Sequence, residues 1–120
     1  MGNRFQIPSE VEQRLKDRFG VCAYCHREMK AYPGRPGCPS DKASIEHLNR
    51  HGPFYWSRGL KESELVIACC SCNSSRGVKR LGDWFDSAYC KLRGINAQTV
   101  HQAVKDYLLL PIAEAEVAVR

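Results

Sequence analysis

Two Cys-x-x-Cys pairs far apart in the chain, a buried-strand run leading into the second pair, and helical spacing of apolar residues towards both ends predict a small α+β domain stapled by a tetrahedral metal site. The pairs are Cys22-Ala23-Tyr24-Cys25 and Cys69-Cys70-Ser71-Cys72. Thiolates at this spacing supply half a tetrahedral site each, so Cys22, Cys25, Cys69 and Cys72 form the expected structural zinc centre. Residues 65–68, Leu-Val-Ile-Ala, are too few for a helix and carry two β-branched side chains, which predicts a strand.

The 120 residues, with a hydrophobic share of 43% and a charged share of 26%, fit one globular domain that gains from a metal staple. Its core is expected at about residues 20–86, with a helical extension over 87–120. No apolar run reaches the length of a membrane span, and residues 1–6 lack a signal-peptide core. The expectation is a cytoplasmic protein without a membrane partner. Seven cysteines in a reducing compartment point to thiolate ligation, and the odd number argues against a closed disulfide framework. The formal net charge is +5, and residues 1–93 carry 16 of the 18 basic side chains and 10 of the 13 acidic ones. The metal-bearing part is thus the basic part, compatible with a polyanion or with an ordinary solvated face.

Taken in order, residues 8–19 predict a helix. Pro8 and Ser9 open it, Glu12 completes a capping box with Ser9, and Val11, Leu15 and Phe19 share a face. Cys-x-x-Cys-His at 22–26 is also the haem c attachment pattern, but haem would leave the second cysteine pair unexplained. His26 reads as a surface residue or a hydrogen-bond donor beside the metal. Residues 31–41 are rich in proline and glycine and predict a loop. Cys38 in that loop is either a free thiol or a replacement for one of the four ligands. Residues 43–48 predict a short strand that places Glu46 next to His47. Residues 49–63 form a long loop in which Arg50, Arg58 and Lys61 alternate with Phe54, Tyr55 and Trp56. These aromatics either meet exposed bases or pack the loop on the core.

Beyond the second pair, residues 73–80 predict a short helix with Arg76, Lys79 and Arg80 near its end. Residues 83–92 predict another, with Trp84, Phe85, Ala88 and Leu92 inward and Gly94 as its stop. Asn96 is placed to cap a last helix in which Val100, Val104, Tyr107 and Leu108 recur at helical spacing. That helix and the tail after Pro111 leave room for a protein partner or a weak dimer.

The ordered set Cys22-x-x-Cys25, Glu46-His47 and Cys69-x-x-Cys72-Asn73-x-x-Arg76-Gly77 resembles the HNH endonucleases, the ββα-metal nucleases, over residues 20–85. The resemblance implies two strands flanking a helix, a structural Zn²⁺, and a separate catalytic Mg²⁺ or Mn²⁺ held by Glu46 and Asn73. Both offer hard oxygen donors of the kind such ions take. It further implies that His47 accepts a proton from the attacking water and that Arg50, Arg58, Arg76, Lys79 and Arg80 hold phosphates of double-stranded DNA. There are two departures from the family's pattern. Glu46 stands where Asp is commoner, and Glu64 stands where many members carry an Asn that supports the loop around the histidine. Strict strand alternation also sends Glu46 and His47 to opposite faces, so they reach one site only at a strand end or bulge. Two functions follow: a metal-dependent endonuclease nicking one strand per event, or a zinc-stapled nucleic-acid- or protein-binding module with a dead site.

Overall fold

The computed structural model describes residues 5–29, 41–49 and 51–110. Helix α1 spans Ser9–Arg18 with its Val11 and Leu15 face buried. Strand β1 spans Ala43–His47 and strand β2 spans Leu65–Cys69. They pair antiparallel in continuous register, from Ala43 opposite Cys69 to His47 opposite Leu65. Four short helices follow: α2 (Cys70–Arg76), α3 (Leu81–Phe85), α4 (Ala88–Arg93) and α5 (Gln102–Leu108).

Strand β2 is buried along its whole length, as an uninterrupted apolar run requires. Helix α1 packs on it, and α2 continues directly from its last residue. The backbone of Ala23 ties the first cysteine pair to this centre, donating to Ile67 O at 3.0 Å and accepting from His101 N at 2.8 Å. Residues from α1, both strands, α3 and α5 close one hydrophobic core around Leu15, Leu65, Ile67, Trp84 and Val104. Among the described residues no helix is long and apolar enough to cross a membrane.

Several boundaries differ from expectation for local reasons. Ser9 lies inside α1 and Pro8 is the N-cap, without a side-chain bond, so the capping box to Glu12 does not form. The single helix expected at 83–92 is two. Ser87 caps a new helix at α4 by accepting from Cys90 N at 3.3 Å, and this resets the helical phase. Cys90 therefore turns into the core while Ala88 and Leu92 face solvent. Gly94 does end α4, at φ 69°, a left-handed position that a glycine takes without strain. Asn96 organises a turn by accepting from Gln98 N and Thr99 N, and His101 caps α5 through Nδ1. Val104 and Tyr107 of α5, with Val100 just before it, are buried in the chain's own core. Cys38 and the tail beyond Pro111 lie outside the described residues.

Trp84 is fully buried, with its ring 4.8 Å from that of Tyr24 and its Nε1 donating to Ser75 Oγ at 2.9 Å. Trp84→Ala is expected to cost about 3–5 kcal/mol, measured by urea unfolding.

Candidate metal centre and histidine site

The four expected zinc ligands come together. The sulfurs of Cys22, Cys25, Cys69 and Cys72 all lie within 4.8 Å of one another, and Cys25 and Cys69 are 3.8 Å apart. Tetrahedral zinc with Zn–S bonds of about 2.3 Å has sulfurs about 3.8 Å apart, so the cluster has the dimensions of such a site. The first sulfur of each pair accepts from a backbone N–H: Tyr24 N donates to Cys22 Sγ at 3.4 Å, and Cys72 N donates to Cys69 Sγ at 3.5 Å. The Tyr89 hydroxyl adds a third donor, to Cys72 Sγ at 3.4 Å. These N–H and O–H groups offset negative charge on buried thiolates.

Hydrogen bonds within the cluster divide the protons unevenly. The Cys22 thiol pushes Cys69 well below the ordinary thiol range, while bonding to Cys69 pushes Cys22 up to about 12 and bonding to Cys22 pushes Cys72 up. Protons remaining on such a cluster are displaced when a divalent ion binds. Cys70, beside Cys69, is disulfide-bonded and outside the cluster, which departs from the expectation of thiols alone. Cys90 is a buried core thiol.

Glu46 and His47 do not converge. Strand β1 carries no bulge at this point, so alternation sends their side chains to opposite faces. Glu46 is 3% exposed and accepts on Oε2 from the Tyr24 hydroxyl at 2.5 Å and from Arg76 Nη1 at 3.1 Å. Burial raises its pKa to about 7 despite the opposing pull of Arg76. Arg76 itself is 0% exposed and also donates to the carbonyls of His47, Leu48 and Lys79. It is therefore a structural cation and not a phosphate contact, a correction to the sequence expectation. Asn73, on α2, reaches β1 with Nδ2, which donates to Ser44 Oγ at 3.0 Å and Ile45 O at 2.9 Å. With a guanidinium already on Glu46, the pair Glu46 and Asn73 as placed does not fit a hard divalent cation.

His47 faces the other way, half-buried, with its ring 4.3 Å from Phe5 and 5.5 Å from Phe54. Its Nε2 lies 3.2 Å from Phe54 O. A carbonyl only accepts, so Nε2 is a protonated nitrogen of the ring in this contact. The loop presenting Phe54 O is tied by Asn49, whose Nδ2 donates to Pro53 O at 2.8 Å and whose backbone carbonyl accepts from Gly52 N at 3.2 Å. The Glu64 side chain has no part in this: its carboxylate accepts from Lys61 N at 2.9 Å and caps a 3-10 turn over Glu62–Glu64.

The remaining expected phosphate contacts separate. Arg58 is exposed. Lys79 is exposed and donates to Ser75 O, and Arg80 is ion-paired with Asp83 at 2.8 Å. Arg50 lies outside the described residues.

Sequence reasoning missed Tyr24 and Asn49 as organising groups. Tyr24 was hidden between two cysteines, with nothing local to show that its hydroxyl meets a carboxylate 22 positions away. Asn49 did carry a signal, since Asn close before a Gly-Pro turn commonly bonds the backbone of that turn. Comparison of the chain with protein-family models, with curated proteins and with solved structures finds no match.

Two outcomes follow from this geometry. Elemental analysis of the purified chain is expected to find one zinc per molecule, and Cys69→Ala is expected to lose both the metal and cooperative unfolding. The scale is set by structural zinc, worth on the order of 10 kcal/mol in small domains. Arg76→Ala is expected to cost about 3–5 kcal/mol by leaving a buried carboxylate without its cation, whereas Arg58→Ala should stay within about 0.5 kcal/mol. The pH dependence has a definite sign. The Glu46 carboxyl is raised from 4.5 to about 7 on folding, so its contribution is complete below about pH 4.5, falls as pH rises to about 7, and is level above. Urea unfolding of Glu46→Gln across that window should show a smaller fall than the parent chain.

Proposed function

We propose that this chain is a zinc-stapled DNA endonuclease of the HNH type. The supporting observation is the unit of β1, β2 and α2, in which the Cys-x-x-Cys-Asn segment closes the sulfur cluster and Asn73 bonds back to β1 just before Glu46 and His47. In this reading Zn²⁺ is structural, binding Cys22, Cys25, Cys69 and Cys72 and holding β2 and α2 against the first cysteine pair.

His47 supplies the base. In this reading the His47 imidazole takes a proton from water, the water oxygen attacks phosphorus, and the strand's P–O ester bond breaks. The leaving oxygen takes a proton from solvent. Proton removal of this kind is worth about 10² to 10⁴ in rate. A requirement for Mg²⁺ or Mn²⁺ comes from the family resemblance alone, and because the donor set does not fit such an ion, no step here passes through one. Of the expected phosphate contacts among the described residues, Arg58 and Lys79 are exposed and placed to hold phosphates, so binding weakens with salt.

A second reading, a nucleic-acid-binding module without catalysis, is favoured by one specific observation: Glu46 is buried in an ion pair with Arg76. Supercoiled plasmid separates the two. The nuclease converts it to open-circular DNA, and His47→Ala loses about 100-fold or more of that rate while keeping its fold, zinc and DNA binding. Parallel arms with Mg²⁺, Mn²⁺ and a chelator read out the cation requirement. A chain carries one His47 and addresses one scissile phosphate per docking, so open-circular DNA precedes linear DNA. Plasmid that is retarded in a gel but stays supercoiled under every arm establishes the binding module instead.

A further inference from the structure

We propose that Phe54 and Tyr55 form a stacking platform for an unpaired nucleobase beside His47, so that the ligand is DNA with a single-stranded or splayed segment and not continuous duplex. This rests on the nucleic-acid part of the reading above and does not need the catalytic part.

The loop aromatics divide into two roles. Trp56 packs against the core, whereas Phe54 and Tyr55 are 38% and 44% exposed. The other large hydrophobics exposed among the described residues, Val78, Leu92, Leu109 and Leu110, are aliphatic and lie elsewhere. Phe54 and Tyr55 are the outer members of a row of rings. Centroids run from Phe54 to His47 at 5.5 Å, from His47 to Phe5 at 4.3 Å and from Phe5 to Tyr55 at 6.3 Å.

Hydrogen bonds fix the backbone that carries both outer rings. Phe54 O meets His47 Nε2, and Tyr55 O accepts from Arg58 N and Leu60 N at 2.9 and 3.2 Å. Trp56 N donates to Phe5 O at 2.8 Å, fastening the loop to the segment before α1. A surface ordered in this way loses little freedom on binding.

Charge selects a polyanion as the occupant. Residues 49–61 contain Arg50, Arg58 and Lys61 and no acidic residue, and Arg58 and Lys61 are exposed. A base within a duplex is covered on both faces by its neighbours. Only an unpaired, terminal or splayed base offers a free π-face to a ring, and that contact tolerates any base identity. Stacking there places the adjoining phosphate next to His47.

The test uses the full-length, zinc-loaded chain, a short single-stranded oligodeoxynucleotide carrying 2-aminopurine, and the same strand annealed to its complement. The single strand is expected to bind about tenfold tighter than the duplex, with quenching of the probe. Phe54→Leu and Tyr55→Leu should each lower single-strand affinity about fivefold or more and leave duplex affinity unchanged. Tyr55→Phe keeps the ring and should bind as the parent does, which guards against a leucine variant that fails to fold. Arg58→Ala should weaken both DNAs alike. Equal binding of single strand and duplex, or a Tyr55→Phe variant without the single-strand preference, overturns the stacking platform while the nucleic-acid reading stands. Binding to neither DNA overturns that reading and the platform with it.

Discussion

The four-sulfur cluster is the constraint on which the rest of this structure depends. It joins segments 44 positions apart at Cys25 and Cys69. A two-stranded sheet alone is marginal in water, and the helices that cover it are too short to be stable by themselves. Helices α2 to α5 have five to seven residues each. Closing the loop between the two cysteine pairs removes unfolded-state freedom that the small core alone is poorly able to offset. The cluster also fixes direction. Cys69 ends β2, Cys72 lies in α2, and the ligand positions therefore set the angle at which the helix leaves the strand.

From the cluster the ordering passes inward through Tyr24, which lies between two of the sulfur ligands. Its hydroxyl meets Glu46 on β1, Glu46 meets Arg76 at the end of α2, and Arg76 satisfies three backbone carbonyls, including those of His47 and Leu48. A buried ion pair of this kind is weak evidence for net stability, because desolvation opposes the attraction. Its effect is geometric. The guanidinium fork requires its acceptors in one plane and at set directions, so the turn leaving β1 has one arrangement. That turn delivers the chain to Asn49 and thence to the carbonyl that orients the histidine.

The elements whose signal is local were legible in the sequence. The strand at β2, the cysteine ligands and the stop at Gly94 each follow from spacing or from a residue with restricted backbone choices. What was not legible depends on partners far along the chain. Arg76 looks like a phosphate ligand in sequence because its charge is visible and the buried carboxylate that claims it lies 30 positions away. Glu46 looks like a cation ligand for the same reason. The helix at 83–92 was misread because Ser87 is a permissible helix residue whose stronger preference, to cap, shows only once Cys90 N is placed to donate to it. The alternation argument did survive: a regular strand sends Glu46 and His47 to opposite faces, and the register through this point is regular.

That separation gives the two faces of β1 different work. One face carries a carboxylate kept from water, with its charge met by Arg76 and its second donor supplied by the cysteine knuckle, and it connects the sulfur cluster to the turn after β1. The other carries an imidazole between two phenyl rings at a half-open surface bordered by residues 49–61, which include no acidic side chain. A residue pair adjacent in sequence is, in three dimensions, a buried ion-paired carboxylate and a half-buried imidazole placed back to back. The fold gains from this arrangement because the histidine is held by backbone, through Phe54 O, and not by the adjacent acid. Its orientation then survives changes in the protonation of Glu46, whose carboxyl titrates near neutral pH.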